Sequence, residues 1–586
     1  MASLIHGLDN HTPKQVGENG HVEHGWSHNI DEKIVQFFFQ LVRSNNHSDL
    51  ECQHRAILHE IKGKEREFKN QFITMYKLIG QTRDIVSGKG EQQLAFMQIY
   101  GFYESGYADL AASAFFRFLV VGDAEHPYGS YKDVKYLCKY LKEKTGREDH
   151  PLIEFVTNLL LNALENDYSQ YEEWKKDETQ KKPILSLAGK WCPREKSREG
   201  WVHAILAKKR FNQYLITAKS RDAYSRAVIK CKIHFTKIIV TLNKYLETTQ
   251  CKQASGDWSN IKFNSVTSCT MRKQSRAFAN KTKKGEQRSM NDDRVNCASN
   301  YVSHLEAAKS DPKNHKVHGR RCNVGELTKD ACLVNQNETA EVDRINLQWE
   351  SNKDNNKGLG NMIACVDTSG SMECDEGLPI YNAVGLGIRC SEVTSDAFKH
   401  RVMTFSTKPQ WITLNDKSTF VEKAKRIRID PNWSGSTNIA AMFDLILDVI
   451  IKNDIPPSSV EDLILGIFSD MQIDYCGTGN LNTLYDDVSI KFQEAGLKSK
   501  FGVVYPVPHI LMWNLRKTNG FPVLSTQKNV TMMSGYSSTL LNTLSDKGVN
   551  GLKEFTPARM LQDILNNKRY DILDNDLYEY YYQLKK

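Results

Sequence analysis

Residues 362–366 form a short apolar run that ends at Asp367. The four residues that follow, Thr368, Ser369, Gly370 and Ser371, are small or hydroxylated. Few local patterns constrain a fold so tightly. A run this short and this uniformly apolar reads as a parallel strand buried on both faces. Small polar residues at its carboxyl end mark the place where an open α/β sheet presents a ligand-binding loop. Asp367, Ser369 and Ser371 make a D-x-S-x-S pattern, and Gly370 permits the tight turn it needs. Two later segments match it. WSGSTN (433–438) sets Thr437 before an apolar helical pattern at 439–450, and LILGIFSD (463–470) is a second apolar run closed by Asp470. Two carboxylates and three hydroxyls at strand ends and helix starts form a hard-oxygen set suited to Mg²⁺ or Mn²⁺. The plainer reading is that all five are ordinary turn and cap residues.

The C-terminal part of the chain alternates strand and helix patterns. Strands are expected at 362–366, 401–405, 410–413, 463–468, 509–513 and 530–533. Helices are expected at 379–393, 420–426, 439–451, 484–495 and 537–544. Such alternation implies an α/β doubly wound sheet with ligands at the strands' carboxyl ends. The preceding part is different. From residue 31 to about 250 nearly every segment has helical periodicity, as with Phe72, Met75, Tyr76 and Ile79 on one face. That succession implies an all-α repeat or bundle, without a clean repeat period. The expected organisation is a disordered leader (1–30), a helical-repeat domain (31–268), a polar basic connector without a core of its own (269–358), a sheet domain (359–548) and a helical tail (549–586).

At 586 residues the chain exceeds one core. Its apolar runs are too short to span a membrane. The N-terminal stretch lacks the basic and apolar regions of a secretory signal. Thirteen cysteines without a C-x-x-C pair fit reduced thiols, so a cytoplasmic location is expected. His315, His318, Cys322 and Cys332 match no zinc spacing. The net charge of +8 is unevenly placed: residues 181–250 hold 16 Lys and Arg against 4 Asp and Glu. A segment so basic in an otherwise slightly acidic chain suggests a polyanion-binding face. Solvated lysines on amphipathic helices are the commoner explanation for such charge.

Three stretches in the helical part stand apart. TRDIVSGKGE (82–91) contains Arg83 and Lys89, HPYGSYKD (126–133) leads into a helix, and SLAGKWCPREKSR (186–198) gathers Lys190, Arg194, Lys196 and Arg198 around Trp191. Each also reads as a capping turn with solvated charges. These three, followed by DTSGSM, SDMQ (469–472), MWNLR (512–516) and SGYS (534–537), resemble the "domain of unknown function 2828" family over about residues 32–570. The five-residue oxygen set resembles the metal-ion-dependent adhesion site of von Willebrand factor A domains, and 361–534 is similar to such a domain. The domain order and the GKG turn also resemble, remotely, the Ro ribonucleoprotein autoantigen, whose TROVE module of helical repeats binds RNA.

The adhesion-site resemblance implies that Ser369, Ser371 and Thr437 hold a divalent cation directly, with Asp367 and Asp470 acting partly through water. The threonine loop departs from the commoner glycine-glycine-threonine form. Basic candidates for RNA, namely Arg83, Lys89, Lys190, Arg194, Lys196 and Arg198, follow from charge alone. The expected function is a non-enzymatic RNA-binding protein with a metal-dependent A-type domain. The alternative is a scaffold whose metal captures an acidic protein ligand. A hydrolase using Asp367 as nucleophile would call for a carboxylate two residues on, where Ser369 stands instead.

Overall fold

The computed structural model describes residues 11–122, 126–353, 358–431, 433–474, 482–545 and 552–583. An N-terminal hairpin, β1 (Lys14–Val16) and β2 (Val22–His24), precedes a long series of helices. The C-terminal part holds a mixed sheet of β3 (Met362–Asp367), β4 (Arg401–Phe405), β5 (Gln410–Thr413), β6 (Ile464–Ser469), β7 (His509–Asn514) and β8 (Val530–Ser534). Every residue of β3, β6, β7 and β8 is buried, as their unbroken apolar runs require. The order is β5-β4-β3-β6-β7-β8, parallel except for the antiparallel edge pair β4–β5. After β3 the chain forms β4 on one side and later β6 on the other. The loops leaving β3 and β6 therefore diverge and open a crevice between them. Register pairs Val366 with Phe468, which sets Asp367 across from Ser469.

The helical part and the sheet are not separate bodies joined by a tether. One continuous apolar core runs from Ile30 through both to Leu577. The helix Ile30–Gln40 ends against the sheet, and its last carbonyls need donors from outside the helix. Lys89 Nζ donates to Phe38 O at 2.7 Å and to Leu41 O at 3.1 Å, and also reaches Ser534 Oγ at the end of β8. Asn514 Nδ2, at the end of β7, donates to Phe39 O at 3.1 Å. The two glycines of the GKG turn have distinct reasons. A Cβ on Gly88 would lie 2.0 Å from Gln81 O, and Gly90 has φ +72°. The C-terminal helix Asp571–Gln583 returns to the helical part, where Asp576 receives Arg117 and the hydroxyl of Tyr76.

Two expected segments differ in the structure. Residues 11–29 are an ordered strap on the sheet domain rather than a disordered leader. The backbones of His24 and Phe521 exchange hydrogen bonds at 2.9 Å, and Asn19 Nδ2 donates to Gln472 O. Residues 1–10 lie outside the described residues. The connector, expected to lack a core, has one. Met271 and Phe278 pack against Cys297, Tyr301, Leu305 and Ala308 on the helix Asp292–Ser310, with Ile261 and Phe263 beneath. The connector's later helices, Val324–Leu333 and Thr339–Lys353, belong to the sheet domain. There Trp349 stacks on Phe420 at 3.6 Å and Gly325 N donates to Asn382. Among the described residues no helix is long and apolar enough to cross a membrane.

The buried ion pair between Arg83 and Asp133 ties TRDIVSGKGE to HPYGSYKD. Removing one partner of such a pair leaves an uncompensated charge, whereas replacing both with apolar groups is often neutral. Arg83→Met should therefore cost about 3–5 kcal/mol, and Arg83→Met with Asp133→Leu should recover most of it. Urea unfolding midpoints of the two variants check this.

Candidate metal centre and basic surface

The crevice between β3 and β6 collects the oxygen groups. Asp367 and Asp470 are fully buried, and Ser369 and Thr437 nearly so. The turn after β3 is fixed by Asp367 Oδ1, which accepts from Ser369 N at 2.9 Å, while Oδ2 accepts from Ser469 Oγ at 2.5 Å. Ser369 Oγ and Ser371 Oγ are 3.2 Å apart, and the Ser371 hydroxyl also bonds to Asp470. The WSGSTN segment is stitched to this turn through its backbone. Gly370 N donates to Gly435 O at 2.8 Å and Ser434 N to Thr368 O at 2.8 Å. The structure thus brings Asp367, Ser369, Ser371 and Asp470 into one hydrogen-bonded group and delivers Thr437 to the same loop. The Thr437 hydroxyl makes no hydrogen bond to the other four.

Burial pushes the Asp367 carboxyl up to about 7, and the nearby Asp470 adds to the shift. Asp470 is also raised, again mainly by burial, with Arg516 opposing. Arg516 Nε lies 2.9 Å from Asp470 Oδ2, and its other end holds Glu18 of the N-terminal strap at 2.6 Å. Two carboxylates, three hydroxyls and one guanidinium leave a cluster of hard oxygens short of positive charge, a composition that fits a small divalent cation. Arg516 and Ser469 had no assigned role in the sequence reading, although MWNLR and SDMQ contain them. Their signal is position, since each closes or follows a strand lining the crevice. Among the described residues no group of three or more His, Cys, Asp or Glu could hold a metal. His318 instead bonds Asn264 O, and Cys332 contacts Ala424 O.

The basic candidates divide. Arg83 and Lys89 are corrected: both are buried, Arg83 on Asp133 and Lys89 on the carbonyls of Phe38 and Leu41. Desolvation drives the Lys89 amine well below the ordinary lysine range, and its buried hydrogen bonds leave it without access to a ligand. Arg194, Lys196 and Arg198 are exposed, and Lys190 is half-buried beside Trp191. Of the 16 cations in 181–250, only Arg210 and Lys232 reach a carboxylate among the described residues. Several others face rings: Lys182 lies 4.4 Å from the Tyr245 centroid and Lys230 lies 4.1 Å from that of Tyr214.

Residues 129–354 match the family described as domain of unknown function DUF2828, and residues 361–571 match the domain of unknown function DUF7788. The two matches meet at the start of β3. An uncharacterised protein of Acanthamoeba polyphaga mimivirus is 27% identical over 543 residues, which is 91% of this chain and 84% of that protein. The crystal structure of the Deinococcus radiodurans RO (RSR) protein aligns over 88% of this chain and 99% of its own, at 10% identity and a TM-score of 0.32. That likeness is too low to bear on shape or function. Residues 129–354 of the chain are thus similar to the domain of unknown function 2828 family, and the DUF7788 match that follows covers the oxygen cluster.

Proposed function

We propose that this chain is a non-enzymatic RNA-binding protein whose sheet domain, of von Willebrand factor A type, holds Mg²⁺ or Mn²⁺ at Asp367, Ser369, Ser371, Thr437 and Asp470. The observation that carries RNA binding is the shortage of carboxylate partners for the charge in 181–250, where among the described residues only Arg210 and Lys232 form ion pairs. Unpaired cations interleaved with rings attract phosphates and offer stacking faces. The metal reading rests on the donor set: buried carboxylates that repel each other are stabilised by a cation between them. Such a cation supplies charge neutralisation and an open position for an oxygen ligand. This chain's residues orient it, with Ser469 and the Ser369 amide fixing Asp367 and Arg516 fixing Asp470.

A second reading, a metal-dependent scaffold for an acidic protein ligand, is favoured by one feature. The helix Arg221–Tyr245 leaves Tyr224, Ile229, Ile233 and Val240 exposed among its basic residues. Salt and chelator separate the two readings, because phosphate contacts are lost steeply with ionic strength.

RNA affinity for a mixed single-stranded pool should fall roughly 10³-fold or more between about 50 and 200 mM salt. Reversing Arg194, Lys196 and Arg198 together should weaken binding alike across sequences. Fluorescence anisotropy checks both, and no binding at low salt would refute the reading.

The metal reading carries a pH signature. The folded-state pKa values of Asp367 and Asp470 are raised above their unfolded values, so the folded protein without metal binds protons more tightly than the unfolded chain. The stability these groups contribute is complete below the ordinary carboxylate range and is lost as pH climbs towards about 7. In chelator, the melting temperature should fall between pH 5 and pH 8. Mg²⁺ at a fixed concentration about 100 times its pH 8 dissociation constant should restore about 2.7 kcal/mol at pH 8 and little at pH 5, where protons compete for the carboxylates. Asp367→Ala should abolish the Mg²⁺ response in thermal melts and calorimetry, and equal Mg²⁺ affinity in the variant would sink the assignment.

A further inference from the structure

We propose that Lys132, Lys135 and Lys190, gathered around the rings of Trp191 and Tyr136, form a clamp for a phosphoryl group of single-stranded RNA. This rests on the RNA-binding reading above and gives it a specific place. Lys132 and Lys135 lie three residues apart at the start of the helix Lys132–Thr145, so both point from one face. Their ammonium groups are 5.7 and 5.6 Å from the centroid of Trp191, and 5.1 and 5.2 Å from that of Tyr136. Lys190, from the short helix Ala188–Trp191, adds a third ammonium 5.4 Å from the same indole. The three ammonium groups thus lie within 5.7 Å of the centre of one indole.

None of the three forms an ion pair with a carboxylate among the described residues. Asp133 is held by Arg83, and Glu199 faces Lys135 without an ion pair. Further positive charge surrounds the group, with Lys273 repelling Lys132 and Arg194 repelling Lys135. Each ammonium is partly desolvated, and burial lowers all three pKa values. Aromatic faces attract cations by about 0.5–2 kcal/mol each, enough to collect lysines but not to neutralise them. A folded protein that holds three unneutralised, half-buried ammonium groups together gives up stability there, which a multiply charged oxyanion would restore. A phosphodiester fits, because its oxygens accept from the ammonium groups while an adjoining base meets the rings.

The test uses the full chain, a short fluorescein-labelled oligouridylate and inorganic pyrophosphate. The variant Lys132→Gln/Lys135→Gln/Lys190→Gln is compared with Lys417→Gln/Arg426→Gln/Lys568→Gln, which removes the same charge from exposed positions outside 181–250. The clamp variant should lose oligouridylate affinity at least tenfold, and its salt slope should become shallower by about 0.7, the value for one phosphate of a single strand. The exposed variant should lose less than threefold. The unliganded clamp variant should melt at or above wild type, because like charges have been removed. Pyrophosphate should raise the melting temperature of wild type and leave the clamp variant unmoved. Equal losses in the two triple variants, or an equal pyrophosphate shift in wild type and clamp variant, would overturn the clamp while leaving RNA binding intact. A wild type that binds no oligouridylate at low salt would overturn both.

Discussion

The buried ammonium of Lys89 at the end of the helix Ile30–Gln40 is the contact on which the rest of the architecture turns. A helix terminus leaves carbonyls without partners and carries partial negative charge, so a cation placed there satisfies both demands. Lys89 does so while also touching the last residue of β8. Around it the same ten-residue turn collects three more buried charges, each committed to a different region. Arg83 meets Asp133, Asp84 receives Arg569 and Tyr570 from the tail, and Glu91 receives Arg43. One turn thus fixes the first helix, the HPYGSYKD loop, the sheet and the C-terminal tail relative to one another. That is why the apolar core is continuous across helical part and sheet.

Pairing separates structural charge from charge left for a ligand. In TRDIVSGKGE every charge is buried with a partner, and breaking one strands the other in a low-dielectric interior. Arg389, Glu392 and Lys423 form a similar buried set in the sheet domain beside Trp349. Two places do not follow this pattern. At the crevice, Asp367 has hydrogen-bond donors but no cation, and Asp470 has one guanidinium shared with Glu18. On the helical surface, the cations of 181–250 outnumber their carboxylates. Those are the positions where an added ion or polyanion changes the electrostatic balance most.

Strand identity was legible because burial on both faces writes an unbroken apolar run. Residues 401–405 and 410–413 are recovered to the residue, β3, β7 and β8 extend one residue further at their carboxyl ends, and β6 is shifted by one residue. The grouping of Asp367, Ser369, Ser371 and Asp470 was legible for the same reason, since strand ends locate crevices. Other features were hidden by composition. Residues 11–29 look like a polar leader because their stability comes from backbone pairing with residues around 472 and 521, which leaves little trace in side-chain pattern. The connector's core rests on single apolar residues spaced along polar helices, such as Cys297, Tyr301 and Leu305. Lys89 and Arg83 misled because a basic residue between glycines or at a helix end looks solvated until its distant partners are known. Sequence does not single out Lys132 and Lys135, because tertiary packing alone brings them to Trp191.

The strap of residues 11–29 shows how closely the oxygen cluster is built into the whole chain. Glu18 N donates to the Gln472 side chain, Ile473 N approaches His21 Nδ1, and Glu18 grips Arg516. The segment that follows Asp470 is therefore held by residues 18–21, more than four hundred positions upstream of Asp470 itself. Arg516 sits at the junction, with one end on Asp470 and the other on the strap. Charge added between Asp367 and Asp470 weakens the demand that Asp470 makes on Arg516, and so alters the contact that fastens the strap. The sheet, the first helix and the tail share one continuous apolar core, against which Trp26 of the strap also packs.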